Sequence, residues 1–359
     1  MHLIALSQDK MILTHGKTRD RMISYGGIVE KLTIVLFGAG VPREERIAPT
    51  VVIVAPGGGN KLSAFIRGVQ ALYRIAADER GLLTAQDPFF LGLVAIMLGR
   101  MAHAPVQIQV HTDCFSKAYR SESLLRAFQA FLASFVLRRA SCLRAVSERV
   151  ARSVRTITSA PVSVLPIRVF VDGMPVSRPA EFHGAFTALA VSRLSKEKQL
   201  HVLIDAIART RGIDLVIVGD GPLRNSLEMR VKRLELGDRV RFAGRKEDTR
   251  AYYQHADVFV QCSRYEGYGM TLVEAALSGL AIVTTDVGIV GDVLRKDDEA
   301  LVVPADARAF ADALSRLRKD AEFSRALSAR AKARAESFQL SEAEYLAKYK
   351  EALLTCMPR

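Results

Sequence analysis

The chain has 359 residues, 49% of them hydrophobic, and its 51 Lys+Arg outnumber 38 Asp+Glu to leave a formal charge of +13. That length and apolar content exclude a disordered chain and suit two domains with separate cores. The excess charge is lopsided: residues 1–168 carry a net +11 and residues 169–359 only +2. Nucleic acid, an anionic membrane surface and a phosphorylated substrate are the partners that could account for a basic first domain.

In chain order, apolar strand-like runs occupy 2–6, 32–37, 50–54, 82–84, 106–111 and 142–146, with helical periodicity between them at 61–78, 88–100 and 121–139. Continuous apolar strands alternating with helices predict a parallel sheet covered on both faces. Four prolines break the periodicity over 161–179. The alternation then restarts with strands at 186–191, 214–218, 240–242, 258–261, 281–284 and 300–303, and helices at 200–210, 223–236, 271–278 and onward to the end. Ser341 is placed to cap the last helix, 341–354. The sequence therefore predicts two doubly wound α/β domains, whose ligands sit at the carboxyl ends of the strands.

The longest uncharged apolar runs, 89–99 and 127–137, fall short of the roughly 18 residues of a spanning helix. Residues 1–6 lack the basic flank of a signal peptide and suit a first strand. Cys114, Cys142, Cys262 and Cys356 are spaced too widely for a zinc-ligand pair or a disulfide framework, which predicts reduced thiols and no structural metal. The expected location is cytosolic, or peripheral on the cytosolic face of the inner membrane.

Three loops carry chemistry. Glu266-Gly-Tyr-Gly-Met-Thr-Leu-Val-Glu274 follows the strand at 258–261. Gly267 and Gly269 allow a tight turn and close ligand approach, and a helix starting near Met270 or Thr271 would aim free N–H groups at the strand end, which is a diphosphate site in physical terms. Glu266 and Glu274 add acceptors for sugar hydroxyls. Thr271-Leu-Val-Glu274 also spells a capping box, in which Glu274 would serve only its own helix. In Val191-Ser-Arg-Leu-Ser-Lys-Glu-Lys198, Arg193 and Lys198 suit the neutralisation of a diphosphate, whereas Lys196 reads as solvated. The third loop, Gly219-Asp-Gly221-Pro222, is a glycine turn with Pro222 suited to a first helical position.

In order, spacing and context, Arg193 and Lys198, the Val-Gly-Asp-Gly-Pro turn and the Glu-x7-Glu pair resemble the retaining family 4 glycosyltransferases of the GT-B fold, over roughly residues 186–305. The resemblance implies two Rossmann-like doubly wound parallel-sheet domains facing across a cleft. Residues 1–168 would form the acceptor side and 169–338 the nucleotide-sugar domain, with a terminal helix in 339–359 crossing back to the first. It implies that Arg193 and Lys198 bind the diphosphate, Glu266 the donor sugar and Glu274 the ribose, with the sugar phosphate on the amides of Gly267, Tyr268, Gly269, Met270 and Thr271. Gly219 and Gly221 join the donor site.

The first half matches more loosely, through Leu82-Leu-Thr-Ala-Gln-Asp87-Pro88 and the strand ending in His111. In relatives such a histidine lies near the transferred sugar; a hydrogen-bonded strand-end histidine is the alternative. The sequence departs from the family at Gln199, where Gly is usual, and at 287–292, where Asp292 replaces Glu and the proline is missing.

The implied activity is transfer of a hexose from a nucleotide-diphosphate sugar to a saccharide or lipid-linked acceptor, in cell-surface polysaccharide or glycolipid synthesis, with neither cofactor nor metal. A sugar-nucleotide epimerase would use the same donor but needs a general acid/base pair. A basic nucleic-acid-binding protein is disfavoured by the absence of Trp and of basic stretches interleaved with aromatics. Residues 117–139 form a basic amphipathic segment, either an ordinary buried helix or one lying on an anionic membrane.

Overall fold

Strands whose side chains are nearly all apolar must be covered on both faces, and the first unit of the structure is built on such strands. The computed structural model describes the chain apart from residues 39, 79–80, 172, 175, 184 and 358–359 and the side chain of residue 17. Residues 172 and 175 of the proline-rich break and the last two of 339–359 therefore lie outside the described residues. The chain divides into Met1–Pro166 with Leu340–Arg359, and Ile167–Gln339.

In the first unit β1 (His2–Ser7), β2 (Lys31–Leu36), β3 (Arg43–Ala48), β4 (Val51–Ala55), β5 (Gly81–Ala85), β6 (Val106–Val110), β7 (Cys142–Ala145) and β8 (Val162–Val164) form one sheet, ordered β3-β4-β2-β1-β5-β6-β7-β8. Only β3 is antiparallel to its neighbour. Its Arg-Glu-Glu-Arg composition lacks any apolar run, so the sequence gives no strand signal there; those charges instead protect an exposed sheet edge. Short β8 falls inside the stretch read as a break.

The helices are α1 (Lys17–Gly26), α2 (Lys61–Asp78), α3 (Phe90–Met101), α4 (Lys117–Arg120), α5 (Leu124–Leu137), α6 (Glu148–Arg155) and, from the chain end, α13 (Glu342–Leu354). The connections β4-α2-β5, β5-α3-β6 and β6-α5-β7 all step the same way across the sheet, so right-handed crossovers put α2, α3 and α5 on one face. The step from β1 to β2 runs the other way and puts α1 on the opposite face. There α13 joins it: Tyr25 of α1 packs on Tyr345 and Tyr349 of α13, in a core shared with Leu32, Ile34 and Leu353. Ser341 and Glu344 cap the start of α13 reciprocally.

The cysteine expectation is corrected here. Cys142 on β7 and Cys356 just beyond α13 are joined as a disulfide with Cα atoms 4.8 Å apart, across a sequence separation of 214. Sequence spacing excluded a local framework but says nothing about a helix that returns from the chain end. Cys114 and Cys262 are buried free thiols.

The second unit contains β9 (Thr187–Val191), β10 (Asp214–Val218), β11 (Val240–Gly244), β12 (Val258–Gln261), β13 (Ala281–Thr284) and β14 (Leu301–Val302), all parallel in the order β11-β10-β9-β12-β13-β14. Helices α7 (Leu200–Ala208), α8 (Arg224–Arg233), α9 (Arg250–His255), α10 (Met270–Leu277), α11 (Ala307–Lys319) and α12 (Ala321–Ser337) complete it. Ala188, Leu215, Ile217, Val260, Val283 and Phe310 are core residues at 1% exposure or less.

Candidate active site

From β9 the chain proceeds outward through β10 and β11, and β12 then returns to the other side of β9. The switch point of this sheet therefore lies between β9 and β12, where a doubly wound fold leaves a crevice at the carboxyl ends of the strands. The loops after these two strands carry most of the residues singled out from the sequence.

Lys198 and Glu266, 68 residues apart, meet across this switch point: the Lys198 ammonium is paired with Glu266 Oε1. Both side chains are largely sheltered, at 19% and 16% exposure. The Ser263 hydroxyl donates to the same oxygen at 2.8 Å, and the Arg264 amide donates to the Glu197 carbonyl at 2.8 Å, fastening the two loops together. Gln199, standing where the family has glycine, takes φ 48° and ψ 35°. That left-handed conformation is one glycine adopts without steric cost, so glycine would suit this position of the chain. Arg193 is exposed on the same loop and Lys196 is solvated.

Helix α10 opens at Met270 with Gly269 as its N-cap, at φ 90°, and no side chain caps it. The capping-box alternative therefore fails, because the Tyr253 hydroxyl donates to Glu274 Oε2 at 2.6 Å and the Thr271 hydroxyl donates to Gln261 Oε1 at 2.9 Å. Burial first, then the Glu274 charge, holds the Tyr253 phenol protonated far above its usual range; it is a fixed donor that orients Glu274. In the first turn of α10 the Leu272 and Val273 amides turn back to the Gly269 carbonyl, at 3.0 and 3.4 Å, which leaves the Met270 and Thr271 amides at the open end as the pair suited to a ligand. Beside it, Gln261 Nε2 and Ser192 Oγ, at the ends of adjacent strands, are buried polar atoms without a partner among the described residues.

Gly267 and Tyr268 are buried in the turn, while Met270 is exposed at its mouth. Gly288, at φ 58°, lets the loop after β13 close on this turn: a Cβ there would lie 2.3 Å from the Tyr268 carbonyl oxygen, which accepts from the Ile289 amide at 2.9 Å. This contact falls within 287–292, the stretch where the sequence departs from the family. Gly219 and Gly221 have a positioning task. A Cβ on Gly219 would stand 1.9 Å from the Ser192 carbonyl oxygen, and one on Gly221 2.5 Å from that of Leu194. The turn lies directly under the Arg193 loop. Pro222 is not the first helical residue as expected; it sits in the turn two residues before α8.

Sequence reading missed Tyr253, Gln261, Ser263 and Gly288. Gln261 ends an otherwise apolar strand, and a polar residue at that place is the one signal that could have been used.

In the first unit His111 follows β6, its Nε2 3.2 Å from Gln109 Oε1. Arg144 donates to the same Gln109 oxygen at 3.2 Å and to the Tyr345 hydroxyl at 2.7 Å, and that hydroxyl lies 3.1 Å from Tyr25. Arg144 is buried, and these two partners of its guanidinium are uncharged. Burial first, then the Arg144 and Arg21 charges, lowers the His111 pKa from 6.5 to about 4. His111 is therefore a neutral imidazole at physiological pH. Asp113 is buried and shifted upward chiefly by desolvation.

The His111 shift has a measurable consequence. An unfolded chain takes up this proton near 6.5 and the folded one near 4, so stability is full above the first value and falls as pH drops toward the second. The loss amounts to about 3 kcal/mol. Chemical denaturation across this window is expected to show that slope, and His111→Gln to remove it; an unchanged slope in the variant would assign it to other groups.

Two doubly wound units, the second with a cation–carboxylate pair and an open helix N-terminus at its switch point, have the architecture of the GT-B class, and the comparisons place the chain among GT-B glycosyltransferases. Residues 177–334 match the family model described as Glycosyl transferases group 1, and residues 24–169 that of the Glycosyl transferase 4-like domain. The lipopolysaccharide core biosynthesis glycosyltransferase LpsE of Rhizobium meliloti is 33% identical over 153 residues, 42% of this chain and 44% of LpsE. The N-acetylgalactosamine-N,N'-diacetylbacillosaminyl-diphospho-undecaprenol 4-alpha-N-acetylgalactosaminyltransferase of Campylobacter jejuni is 32% identical over 153 residues, 42% of each chain. The chain thus spans less than half the length of these two relatives. Among solved structures, Anabaena HepE in complex with UDP and glucose superposes with a TM-score of 0.78 at 19% identity, covering 99% of both chains. Sucrose-phosphate synthase from Thermosynechococcus elongatus follows at 0.77 and 19%, covering 96% of each.

Proposed function

We propose that this chain transfers a hexose, with retention and without a metal, from a nucleotide-diphosphate sugar to a saccharide or lipid-linked acceptor in cell-surface polysaccharide or glycolipid synthesis. The observation that carries the reading is the Lys198–Glu266 pair at the switch point, beside the uncapped start of α10. As the glycosidic bond breaks, negative charge grows on the departing diphosphate. Arg193, Lys198 and the amides of Met270 and Thr271 stabilise that charge in place, before the reaction begins. Donor binding moves Lys198 from Glu266 to the diphosphate, which frees the Glu266 oxygen it held for a sugar hydroxyl. Glu274, oriented by Tyr253, accepts from the ribose. His111 serves the acceptor side as a neutral group.

The reading is supported by the family matches and by relatives whose names place them in lipopolysaccharide and undecaprenol-linked saccharide synthesis. Its test is thermal-shift screening of nucleotide sugars in the presence of EDTA, followed by assay of nucleoside-diphosphate release with oligosaccharide and polyprenyl-linked acceptors. A donor at a hundred times its Kd is expected to stabilise the protein by about 2.7 kcal/mol. The product should keep the donor's anomeric configuration. Epimerised donor formed without acceptor, or activity restored only by a divalent ion, would overturn the assignment.

A further inference from the structure

Helix α5 is turned inside out relative to an ordinary amphipathic helix. Its small face, Ala130 and Ala133 with Val136 and Leu137, is buried. The large apolar residues face solvent: Leu124 is 92% exposed, Phe131 70%, Phe128 54% and Phe135 38%. These four recur at helical spacing and form one stripe. The sequence shows this stripe but leaves open whether it points inward; the structure settles that it points out.

The stripe continues onto the neighbouring helices. Packed beside α5 on the same sheet face, α3 exposes Phe90, Met97 and Met101 at 56–61%, again along one side. Beyond α3, α2 exposes Leu62 and Ile66. Three adjacent helices thus present large apolar side chains outward, far more than the scattered exposure normal for a soluble surface.

The charges select the occupant. Within α2, α3 and α5 there are five Lys+Arg and one acidic residue, Asp78. Arg67, Arg74 and Arg100 are exposed on α2 and α3, and Arg138 and Arg139 are exposed just after α5. Arg139 lies over the Phe135 ring at 3.7 Å, so its charge sits at the edge of the stripe. A second copy of this chain would bring the same positive charges face to face, and a neutral apolar partner would leave them unanswered. A surface with an apolar interior and a negative boundary answers both features.

We propose that the outer face of α2, α3 and α5 docks on an anionic lipid bilayer, with Leu124, Phe128 and Phe131 inserted among the acyl chains and Arg138 and Arg139 at the headgroups. This does not depend on the catalytic reading, because binding requires neither donor nor acceptor. The test is vesicle flotation of the full chain with phosphatidylglycerol-rich and with pure phosphatidylcholine vesicles, at low and high salt. The protein is expected to float with the anionic vesicles and to be released by salt. Phe128→Ser with Phe131→Ser, both exposed, should keep the melting temperature and weaken partitioning by about tenfold or more. Arg138→Glu with Arg139→Glu should weaken it by about tenfold and flatten the salt dependence. Equal recovery with both vesicle types, or variants that float like the parent, would overturn the proposal. A concentration-dependent dimer in light scattering, dissolved by the Phe substitutions and unaffected by vesicles, would assign the face to a second copy instead.

Discussion

Lys198→Ala is expected to lower kcat for sugar transfer by about 10²–10³, equivalent to about 3–4 kcal/mol of transition-state stabilisation. The ammonium is held between two loops, sheltered from water, and already bound to Glu266. A charge so placed loses little in reorganising toward a growing diphosphate charge. Folding stability should change much less, by about 1 kcal/mol, because the pair keeps partial contact with solvent and Ser263 remains as a donor to Glu266. Glu266→Gln should also lower kcat. Because the two side chains act as one unit, the double variant should lose less than the product of the single losses. Steady-state kinetics with a saturating donor measures all three, and denaturation curves separate them from misfolding. A kcat for Lys198→Ala within about threefold of the parent would remove Lys198 from leaving-group stabilisation.

What the sequence disclosed and what it withheld follow from the range of the interactions involved. The β12–α10 junction was legible because its signals are local: an apolar strand, two glycines, then helical period. Glu274 was ambiguous for the same reason, since a local capping box and a ligand site use the same letters. Its resolution comes from Tyr253, on a different helix. The roles of Gly219 and Gly288 were hidden because each is defined by a carbonyl oxygen on another loop. In α5 the Phe and Leu periodicity predicts a stripe but not its direction. That depends on the space above the sheet, which the Ala130 and Ala133 face fills closely. Charged β3 and the Cys142–Cys356 link were illegible because one lacks an apolar signature and the other closes a separation of 214 residues.

The Gly219 turn yields the other large effect, on stability and catalysis together. At φ 135° the residue occupies a conformation that L side chains rarely adopt, and its missing Cβ would fall 1.9 Å from the Ser192 oxygen. The turn and the Arg193 loop are tied by backbone hydrogen bonds: the Ser192 amide donates to the Val218 carbonyl at 3.0 Å, the Leu194 amide to Asp220 at 3.0 Å, and the Leu223 amide to Leu194 at 3.0 Å. Gly219→Ala must part these segments by about an ångström or more, stretching all three bonds in a place where no flexible side chain can yield instead. The expected cost is about 3 kcal/mol of stability. A displacement of that size at Arg193 should lower kcat by about 10² even in the folded fraction. Gly237→Ala is the matched control: a Cβ there meets nothing within 4 Å and needs no left-handed backbone, so its effect should stay within about 0.5–1 kcal/mol, with kcat unchanged. If urea denaturation gave the two alanine variants equal stabilities, the close approach of the Gly219 turn to Ser192 would not govern this site.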